Sequence, residues 1–194
     1  MKLKELVVAT GNEHKIEEIR SLLEGWGVSV RGLPPGAVLP PETGPDFFAN
    51  ALIKAEYGRE LTGLPTLADD SGLEVDALGG APGVRSARFA PTDEKRNKKL
   101  LELMRDVPDE ARTARFRCVI ALATPEGGMV TCEGKVEGFI ARDCRGEGGF
   151  GYDPVFIVPE KNLRMSELGP DDKNAISHRG RALVKARKIL QRDL

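Results

Sequence analysis

The first thirty residues alternate between the repeat of a β-strand and the repeat of an α-helix, and this alternation constrains the fold most strongly. Residues 5–10 read ELVVAT, a run of β-favouring side chains, and residues 11–23 read GNEHKIEEIRSLL. In that second run Ile16, Ile19 and Leu23 recur at helical spacing. We expect a second strand near residues 28–30. A strand, a turn, a helix and a strand in this order predict an α/β fold.

The rest of the chain continues the alternation and contains a hairpin signal. The run from residue 113 to residue 141 predicts two long strands joined by the turn PEGG at residues 125–128. The spacing of apolar residues predicts helices from residue 47, from 93 to 106 and from about 174 to 191. The first of these is marked as amphipathic by Phe47, Phe48, Ala51, Leu52 and Ala55. Further strands are predicted at PTLADD, residues 65–70, and after the glycine-rich loop GEGGFGYDP. These elements predict a mixed β-sheet with flanking helices.

Length and charge limit the classes of protein to consider. A chain of 194 residues has enough length for one sizeable core, so we expect a single domain over residues 1–194. Because 29 Lys and Arg balance 30 Asp and Glu, the net charge gives no reason to expect a nucleic-acid partner. No apolar run approaches membrane-spanning length, so no membrane partner is expected. The N-terminal run enters a strand without a secretory signal, and we expect a cytoplasmic protein.

The segment TGNEHK, residues 10–15, is a candidate phosphate-binding turn. Gly11 permits a tight turn after the strand, and Asn12 has the side chain of a helix cap. The N-terminal N–H groups of the helix, together with Lys15, would present positive potential to an anion. The segment is not a Walker motif, which needs a longer glycine loop. A capped turn of this kind also occurs with a purely structural role.

Two acidic segments are candidates for a metal site. Residues 67–72 read LADDSG, and on a strand the adjacent Asp69 and Asp70 point to opposite faces, so that one carboxylate enters a given pocket. Glu42, in PETG, is the second candidate. Mg²⁺ in proteins is bound through one or two carboxylates plus substrate phosphates. Lys54, four residues after Asn50 on one helix face, would reach an anion. The alternative is that Glu42 is a solvated carboxylate and that Asp69 braces the loop.

Two later segments are candidates for contacts to a planar base. In GGFGYDP, residues 148–154, glycines flank Phe150, and an uncovered ring is a stacking platform. In KNAISHR, residues 173–179, Lys173, His178 and Arg179 offer hydrogen-bond donors that would read carbonyl oxygens on a base. Both segments have a structural alternative, because aromatic residues in glycine loops often fill cores and a lone histidine is often structural.

Five segments in order carry a resemblance to a known family. They read TGNEHKIEE, ETGPDFFANALIKA, LADDSGLEVDALGGAPGVRSARFA, GGFGYDPVF and KNAISHRGRAL, and they span residues 10–183. Together they resemble the inosine triphosphate pyrophosphatase family. Five literal agreements in one order over nearly the whole chain are highly specific, whereas one alone would be modest support.

The resemblance implies a fold, a reaction and a set of site residues. The fold would be an elongated mixed sheet flanked by helices, with two lobes and a central active-site cleft. The reaction would be the Mg²⁺-dependent hydrolysis, by a homodimer with one ion or more per subunit, of non-standard purine nucleoside triphosphates (dITP, ITP and XTP) to monophosphate and pyrophosphate. The implied triphosphate contacts are Thr10, Gly11, Asn12, Glu13, His14, Lys15, Lys54 and Ser71. The implied metal ligands are Glu42 and Asp70, with Asp70 also the general base. The implied base contacts are Phe150, Gly151, Tyr152, Asp153, Lys173, His178 and Arg179.

The residues and the resemblance converge on one hypothesis, and two alternatives remain open. In the hypothesis, Asp70 orients or deprotonates a water that attacks the α-phosphorus, with Mg²⁺ bridging carboxylates and phosphates. A non-catalytic purine nucleotide sensor would use the same contacts without needing a water-activating carboxylate. An enzyme related by fold that removes modified pyrimidine nucleotides is the second alternative. Release of pyrophosphate from dITP, compared with dUTP or dTTP, distinguishes the three.

Overall fold

The computed structural model describes residues 4–193, with side chains in the last helix described through residue 187 and at residue 189. Its α-helices are α1 (Glu13–Leu22), α2 (Phe47–Thr62), α3 (Asp93–Leu103), α4 (Pro170–Ile176) and α5 (His178–Asp193). Its strands are β1 (Glu5–Val8), β2 (Ser29–Gly32), β3 (Thr66–Val75), β4 (Thr113–Ala123), β5 (Met129–Ile140), β6 (Phe156–Val158) and β7 (Leu163–Arg164). Short 3-10 helices are Asp76–Leu78, Gly83–Arg88, Asp109–Ala111, Asp153–Val155 and Met165–Glu167.

The seven strands form one mixed sheet in the order β2-β1-β3-β4-β5-β6-β7. Strand β1 pairs in parallel with β2, where Glu5 lies opposite Ser29, and in parallel with β3, where Val8 lies opposite Leu67. Strands β5, β6 and β7 are antiparallel neighbours. The predicted turn joins β4 to β5, and Thr124 N donates to Gly128 O at 2.8 Å. The predicted α/β fold with a mixed sheet is therefore confirmed.

The helices that carry the candidate residues begin at side-chain caps. The Asn12 side chain accepts a hydrogen bond from Lys15 N, Asp46 accepts from Ala49 N, and Thr92 accepts from Lys95 N. Each cap satisfies one of the N–H groups that a helix leaves without an internal partner at its start. Helix α2 ends at Gly63, whose φ of 67° lies in the left-handed region that glycine adopts at little cost. Local sequence therefore fixes where α1, α2 and α3 begin.

Two compact units, interleaved along the chain, each contain a hydrophobic core. The first comprises residues 1–70, 118–134 and 179–194, and its core includes the buried Leu6, Ile19 and Leu183. The second comprises residues 71–117 and 135–178, and its core includes the buried Leu100 and Phe156. Burying a Leu or Phe side chain stabilises a fold by about 1.5–3 kcal/mol. Within residues 4–193, no helix has the length and apolar composition needed to cross a bilayer.

Three elements differ from the sequence expectations. Strand β3 continues to Val75 instead of ending at Asp70, because both acidic side chains find cationic partners that offset their poor fit to a strand. The predicted C-terminal helix is two helices, because Ser177 has extended backbone with ψ of 156° and separates α4 from α5. Phe47 is buried as expected, whereas Phe48 is 48% exposed, since consecutive residues point to different sides of a helix.

Candidate active site

The adjacent Asp69 and Asp70 lie on strand β3 and have different partners, as strand alternation predicts. Asp70 Oδ1 accepts a hydrogen bond from Lys54 Nζ at 2.8 Å, and Asp70 Oδ2 accepts from Asn50 Nδ2 at 3.2 Å. Asp69 instead pairs with Lys15, whose Nζ lies 3.0 Å from Asp69 Oδ1. Two carboxylates that are adjacent in sequence therefore belong to two separate polar clusters.

Glu42 and Asp70 converge on one nitrogen atom. Lys54 Nζ donates to Glu42 Oε1 at 2.9 Å and to Asp70 Oδ1 at 2.8 Å, with Lys54 and Asp70 both buried. The two carboxylates come from a loop and a strand, and a helix supplies the shared ammonium group. The structure thus brings together three residues that sequence analysis assigned to a metal and phosphate site.

One face of helix α2 builds this convergence. Asn50 and Lys54 are four residues apart on that helix, and both donate to Asp70. The Asn50 side chain also holds the loop that carries Glu42, because Gly44 N donates to Asn50 Oδ1 at 2.8 Å. A Cβ atom at Gly44 would lie 2.7 Å from that same oxygen and 2.9 Å from Asn50 N, so only glycine fits. Asn50 is therefore a buried organiser of the Glu42 loop.

The pKa shifts in this group indicate a local excess of negative charge. Burial lowers the pKa of Lys54, but Asp70, Asp69 and Glu42 outweigh that effect and hold it above its usual value. Burial also raises the pKa of Asp70, and Glu42 adds to the rise while Lys54 opposes it. Both shifts have the sign expected when two or more carboxylates share one ammonium group. Additional positive charge at this position would be electrostatically favourable.

The Glu42 and Asp70 pair fits a hard divalent cation that keeps further ligands from elsewhere. Within the described part of the chain, no group of three or more His, Cys, Asp or Glu side chains is arranged to hold a metal ion. A site with two converging carboxylates suits Mg²⁺, which completes its shell with water and substrate phosphates. A transition-metal site with three or four protein ligands would need more. The donor set therefore fits magnesium bound together with a phosphorylated ligand.

The turn at residues 10–15 has the predicted cap and one buried partner. Asn12 N donates to Thr10 Oγ1 at 3.2 Å, and Asn12 Oδ1 accepts from Lys15 N at 3.4 Å. The surface residues of the turn are Gly11, Glu13 and His14. Lys15 is directed to the Asp69 carboxylate at 3.0 Å. The turn and its lysine are therefore anchored to strand β3 through Asp69.

Asp69 also binds Arg179, a pairing that sequence analysis did not predict. Arg179 Nη2 and Nε donate to Asp69 Oδ2 at 3.0 and 3.2 Å, and Arg179 Nη1 contacts Glu18 of α1. Burial would raise the pKa of the Asp69 carboxyl, but Lys15 and Arg179 hold that pKa far below its usual value. Arg179 was expected to contact a base, and in the structure its guanidinium group pairs with the buried Asp69 and the partly buried Glu18.

Three of the expected base contacts, Phe150, Asp153 and Lys173, lie together at the glycine-rich loop. Asp153 Oδ2 accepts from Lys173 Nζ at 2.8 Å and from Phe150 N at 2.9 Å. Lys173 Nζ lies 4.8 Å from the centre of the Phe150 ring, within the range of a cation–π contact. Phe150 is half-buried, so part of its ring is accessible. The buried Asp153 thus orients two candidate base contacts.

Two further candidates, Tyr152 and His178, have contacts that the sequence did not predict, and a third, Ser71, is partly buried. Tyr152 is buried, and its hydroxyl donates to Ser86 O at 2.9 Å, so it packs in the core instead of presenting its ring. Burial raises the pKa of this phenol. The His178 ring stacks on Phe116 with centroids 4.8 Å apart and an interplanar angle of 11°. Ser71 is half-buried on β3.

A cavity of about 780 Å³ lies beside the glycine-rich loop in the second unit. Its lining includes Phe150 and Gly151 from the loop and Asp93 and Asn97 from helix α3. These two α3 residues were not among the predicted site residues, although both contact Gly151. The available signal was the segment TDEKRN, in which a capping threonine precedes an acid and an amide four residues apart.

Comparisons with known proteins agree over almost the full length. The model of the Ham1 family matches residues 6–189. A relative from Desulforamulus reducens, a dITP/XTP pyrophosphatase, is 54% identical over 192 residues, or 96% of each chain. Another dITP/XTP pyrophosphatase, from Symbiobacterium thermophilum, is 51% identical over 186 residues, covering 95% of this chain and 94% of the relative. The solved structure of a HAM1 protein from Coxiella burnetii has a TM-score of 0.85 and 43% identity, covering 97% of this chain and 99% of that one.

Proposed function

This chain belongs to the Ham1 family, and from that premise we propose that it hydrolyses non-standard purine nucleoside triphosphates to the monophosphate and pyrophosphate. The substrates would be dITP, ITP and XTP with their ribo or deoxyribo counterparts. The observation that carries the proposal is the convergence of Glu42 and Asp70 on Lys54 Nζ. The relatives named dITP/XTP pyrophosphatase, alike over nearly the whole chain, support the choice of reaction.

In this proposal Glu42 and Asp70 hold Mg²⁺, one ion or more per subunit. The bound ion would polarise phosphate oxygens and lower the pKa of a coordinated water. The excess of negative charge around Lys54 supports the assignment, because the carboxylates attract a second cation besides the lysine. Asn50 keeps the Glu42 loop in place and donates to Asp70, which leaves the Asp70 carboxylate with one defined orientation.

The chemical step in the proposal uses Asp70 as the base. Asp70 orients or deprotonates a water, whose oxygen forms a bond to the α-phosphorus as the bond from that phosphorus to the β-bridging oxygen breaks. The proton passes to Asp70, and pyrophosphate leaves with the bonding electrons. In the protein without a bound ion, burial raises the pKa of Asp70, which is the direction that strengthens a carboxylate as a base. Lys54 and Lys15 offset the charge that develops on the phosphates, aided by the capped N-terminus of α1.

For the base, we propose stacking on Phe150 and hydrogen bonds from Lys173 and His178 to the purine carbonyl oxygens. The Asp153 contacts to Lys173 and to the Phe150 N–H support a fixed geometry for these groups. A site that hydrogen-bonds a particular substrate group rejects an analogue lacking it by roughly 10⁴-fold or more. Such a ratio is what a pool-cleansing enzyme requires in the presence of abundant ATP.

The proposal also includes a homodimer and a cytoplasmic location. The motif resemblance implies a homodimer, and size-exclusion chromatography with light scattering would measure the mass in solution. We propose that the reaction takes place in the cytoplasm, on the nucleoside triphosphate pool there.

The experiment that tests the proposal is a panel of pyrophosphate-release assays with Mg²⁺. We expect rapid release from dITP, ITP and XTP, and slow release from ATP, dUTP and dTTP. Binding of dITP without pyrophosphate release would instead identify the sensor alternative. Faster release from dUTP or dTTP would identify a pyrimidine enzyme.

A further inference from the structure

Two side chains of helix α3 hydrogen-bond to Gly151 of the glycine-rich loop, and we infer that these residues, Asp93 and Asn97, are positioning residues for the Phe150 ring. The inference rests on the proposed function, in which Phe150 stacks on the base. The two residues act as a clamp on Gly151: Asp93 Oδ2 accepts from Gly151 N at 2.6 Å, and Asn97 Nδ2 donates to Gly151 O at 2.9 Å. Both polar groups of one peptide residue are thereby fixed by side chains of α3.

The geometry of the clamp follows from helical spacing. Asp93 is the first residue of α3 and Asn97 lies four residues later, so both side chains project from the same face. Thr92 fixes the start of that helix by accepting from Lys95 N at 3.2 Å. Asn97 is 4% exposed, and burying a polar side chain without a hydrogen bond is costly. The bond to the loop therefore satisfies the buried Nδ2 group of Asn97.

Two glycines, which are conformationally free in the unfolded chain, flank Phe150 in this loop, and contacts from two sides hold the loop in one conformation. Gly149 and Gly151 have φ of 73° and 65°, which places a left-handed residue on each side of Phe150. A Cβ atom at Gly149 would collide with the Asp153 carboxylate. Asp153 Oδ2 accepts from Phe150 N at 2.9 Å, and Asp153 N donates to Phe150 O at 3.3 Å. Asp153 therefore fixes Phe150 from within the loop, and the α3 clamp fixes the following residue from outside.

The consequence is a ring that is ordered before any ligand binds. Ordering a loop and a side chain upon binding costs free energy, and preorganisation removes that cost. Lys173, held by the same Asp153, lies over the ring. Losing the clamp should weaken binding of the base while leaving the phosphate chemistry intact, because that chemistry is assigned to Glu42, Lys54 and Asp70. KM should respond and kcat should not.

The first test compares Asn97→Ala, Asp93→Ala and Asp93→Asn, with Glu94→Ala as the matched control. Alanine is a good helix former, so Asn97→Ala removes the bond without weakening the helix. Asp93→Asn keeps an acceptor for Gly151 N but removes the ion pair with Arg96. If this variant binds dITP like the wild type, the hydrogen bond to Gly151 is the feature that matters, and the ion pair is not. Glu94→Ala removes an acid from the same helical turn.

We expect the two clamp-breaking alanine variants to raise KM for dITP about fivefold with little change in kcat, the ratio that corresponds to one hydrogen bond of about 1 kcal/mol. Asp93→Asn and Glu94→Ala should stay near the wild type. A double-mutant cycle adds the decisive comparison. In a protein that already carries Phe150→Ala, the further change Asn97→Ala should leave KM for dITP unchanged. Additive effects, an unchanged KM in Asn97→Ala, or equal damage from Asp93→Asn would overturn the inference.

Amide hydrogen exchange tests the clamp independently of enzymatic activity. In the ligand-free protein, the peptide covering residues 148–153 should exchange faster in Asn97→Ala and Asp93→Ala, and unchanged exchange there would overturn the clamp. Failure of the wild type to release pyrophosphate from dITP would overturn the proposed function alone. The role of the clamp in base binding would then be decided by the affinity for dIMP, which should fall in both alanine variants and stay constant if the inference is wrong.

Discussion

Replacing Asp70 with Asn should abolish most turnover while leaving the protein folded. Asp70 accepts two hydrogen bonds, from Lys54 Nζ at 2.8 Å and from Asn50 Nδ2 at 3.2 Å. An asparagine has one acceptor oxygen, so one of these donors would face the new amide NH₂ group. Lys54 keeps Glu42 as a counter-charge, so the main cost is one buried donor left unsatisfied. That cost is about 1–3 kcal/mol, which is less than the stability of about 5–15 kcal/mol typical of a folded domain.

The effect on catalysis should be much larger than the effect on folding. Loss of a positioned general base alone typically costs 10²–10⁴-fold in rate, and Asp70 is also proposed as a metal ligand. We would measure pyrophosphate release from dITP at saturating Mg²⁺, alongside urea unfolding. The control is Asp76→Asn, which removes the same charge from an exposed carboxylate paired with Arg115 just after β3 and should leave turnover unchanged. A folded Asp70→Asn protein with turnover close to that of the wild type would refute the assignment.

Three further predictions concern the surroundings of this site. Asp69→Asn should lower the free energy of unfolding by roughly 3–5 kcal/mol in urea titration, because Lys15 and Arg179 would lose a buried counter-charge. Since the folded-state pKa of Asp69 is depressed, its contribution should be present above about pH 4 and be lost as the pH falls further, and the variant's stability should lack that acid dependence. Gly44→Ala should lower the free energy of unfolding by about 1–3 kcal/mol and slow turnover, because the added methyl group would displace Asn50. Gly36→Ala serves as the comparison: Gly36 has left-handed backbone and open space around it, so this variant measures the backbone cost without a steric clash. Removing divalent ions with a chelator should stop pyrophosphate release, and Mg²⁺ should restore it.

Features determined by neighbouring residues could be predicted from the sequence. The cap at Asn12, the hairpin turn at residues 125–128 and the shared helix face of Asn50 and Lys54 all depend on residues a few positions apart, and the structure contains them. The family resemblance, which rests on long literal agreement in five segments, is confirmed by the Ham1 match over residues 6–189. The separate directions of Asp69 and Asp70 follow from strand alternation alone.

Features determined by distant residues could not be predicted in this way. Asp69 and Arg179 are 110 positions apart, and neither segment contains a local pattern that predicts their ion pair. Asp93 and Gly151 are 58 positions apart, so an aspartate that sequence analysis passed over holds the loop. The continuation of β3 through Asp69 and Asp70 has the same origin, because cations from other elements stabilise acidic residues that a strand disfavours.

The most direct test of the central claim is a single turnover of dITP in water labelled with heavy oxygen, with the products analysed by mass spectrometry. If Asp70 directs a water to the α-phosphorus, the products should be dIMP carrying the label and unlabelled pyrophosphate. Label in the pyrophosphate, or release of orthophosphate and dIDP, would contradict the proposed reaction.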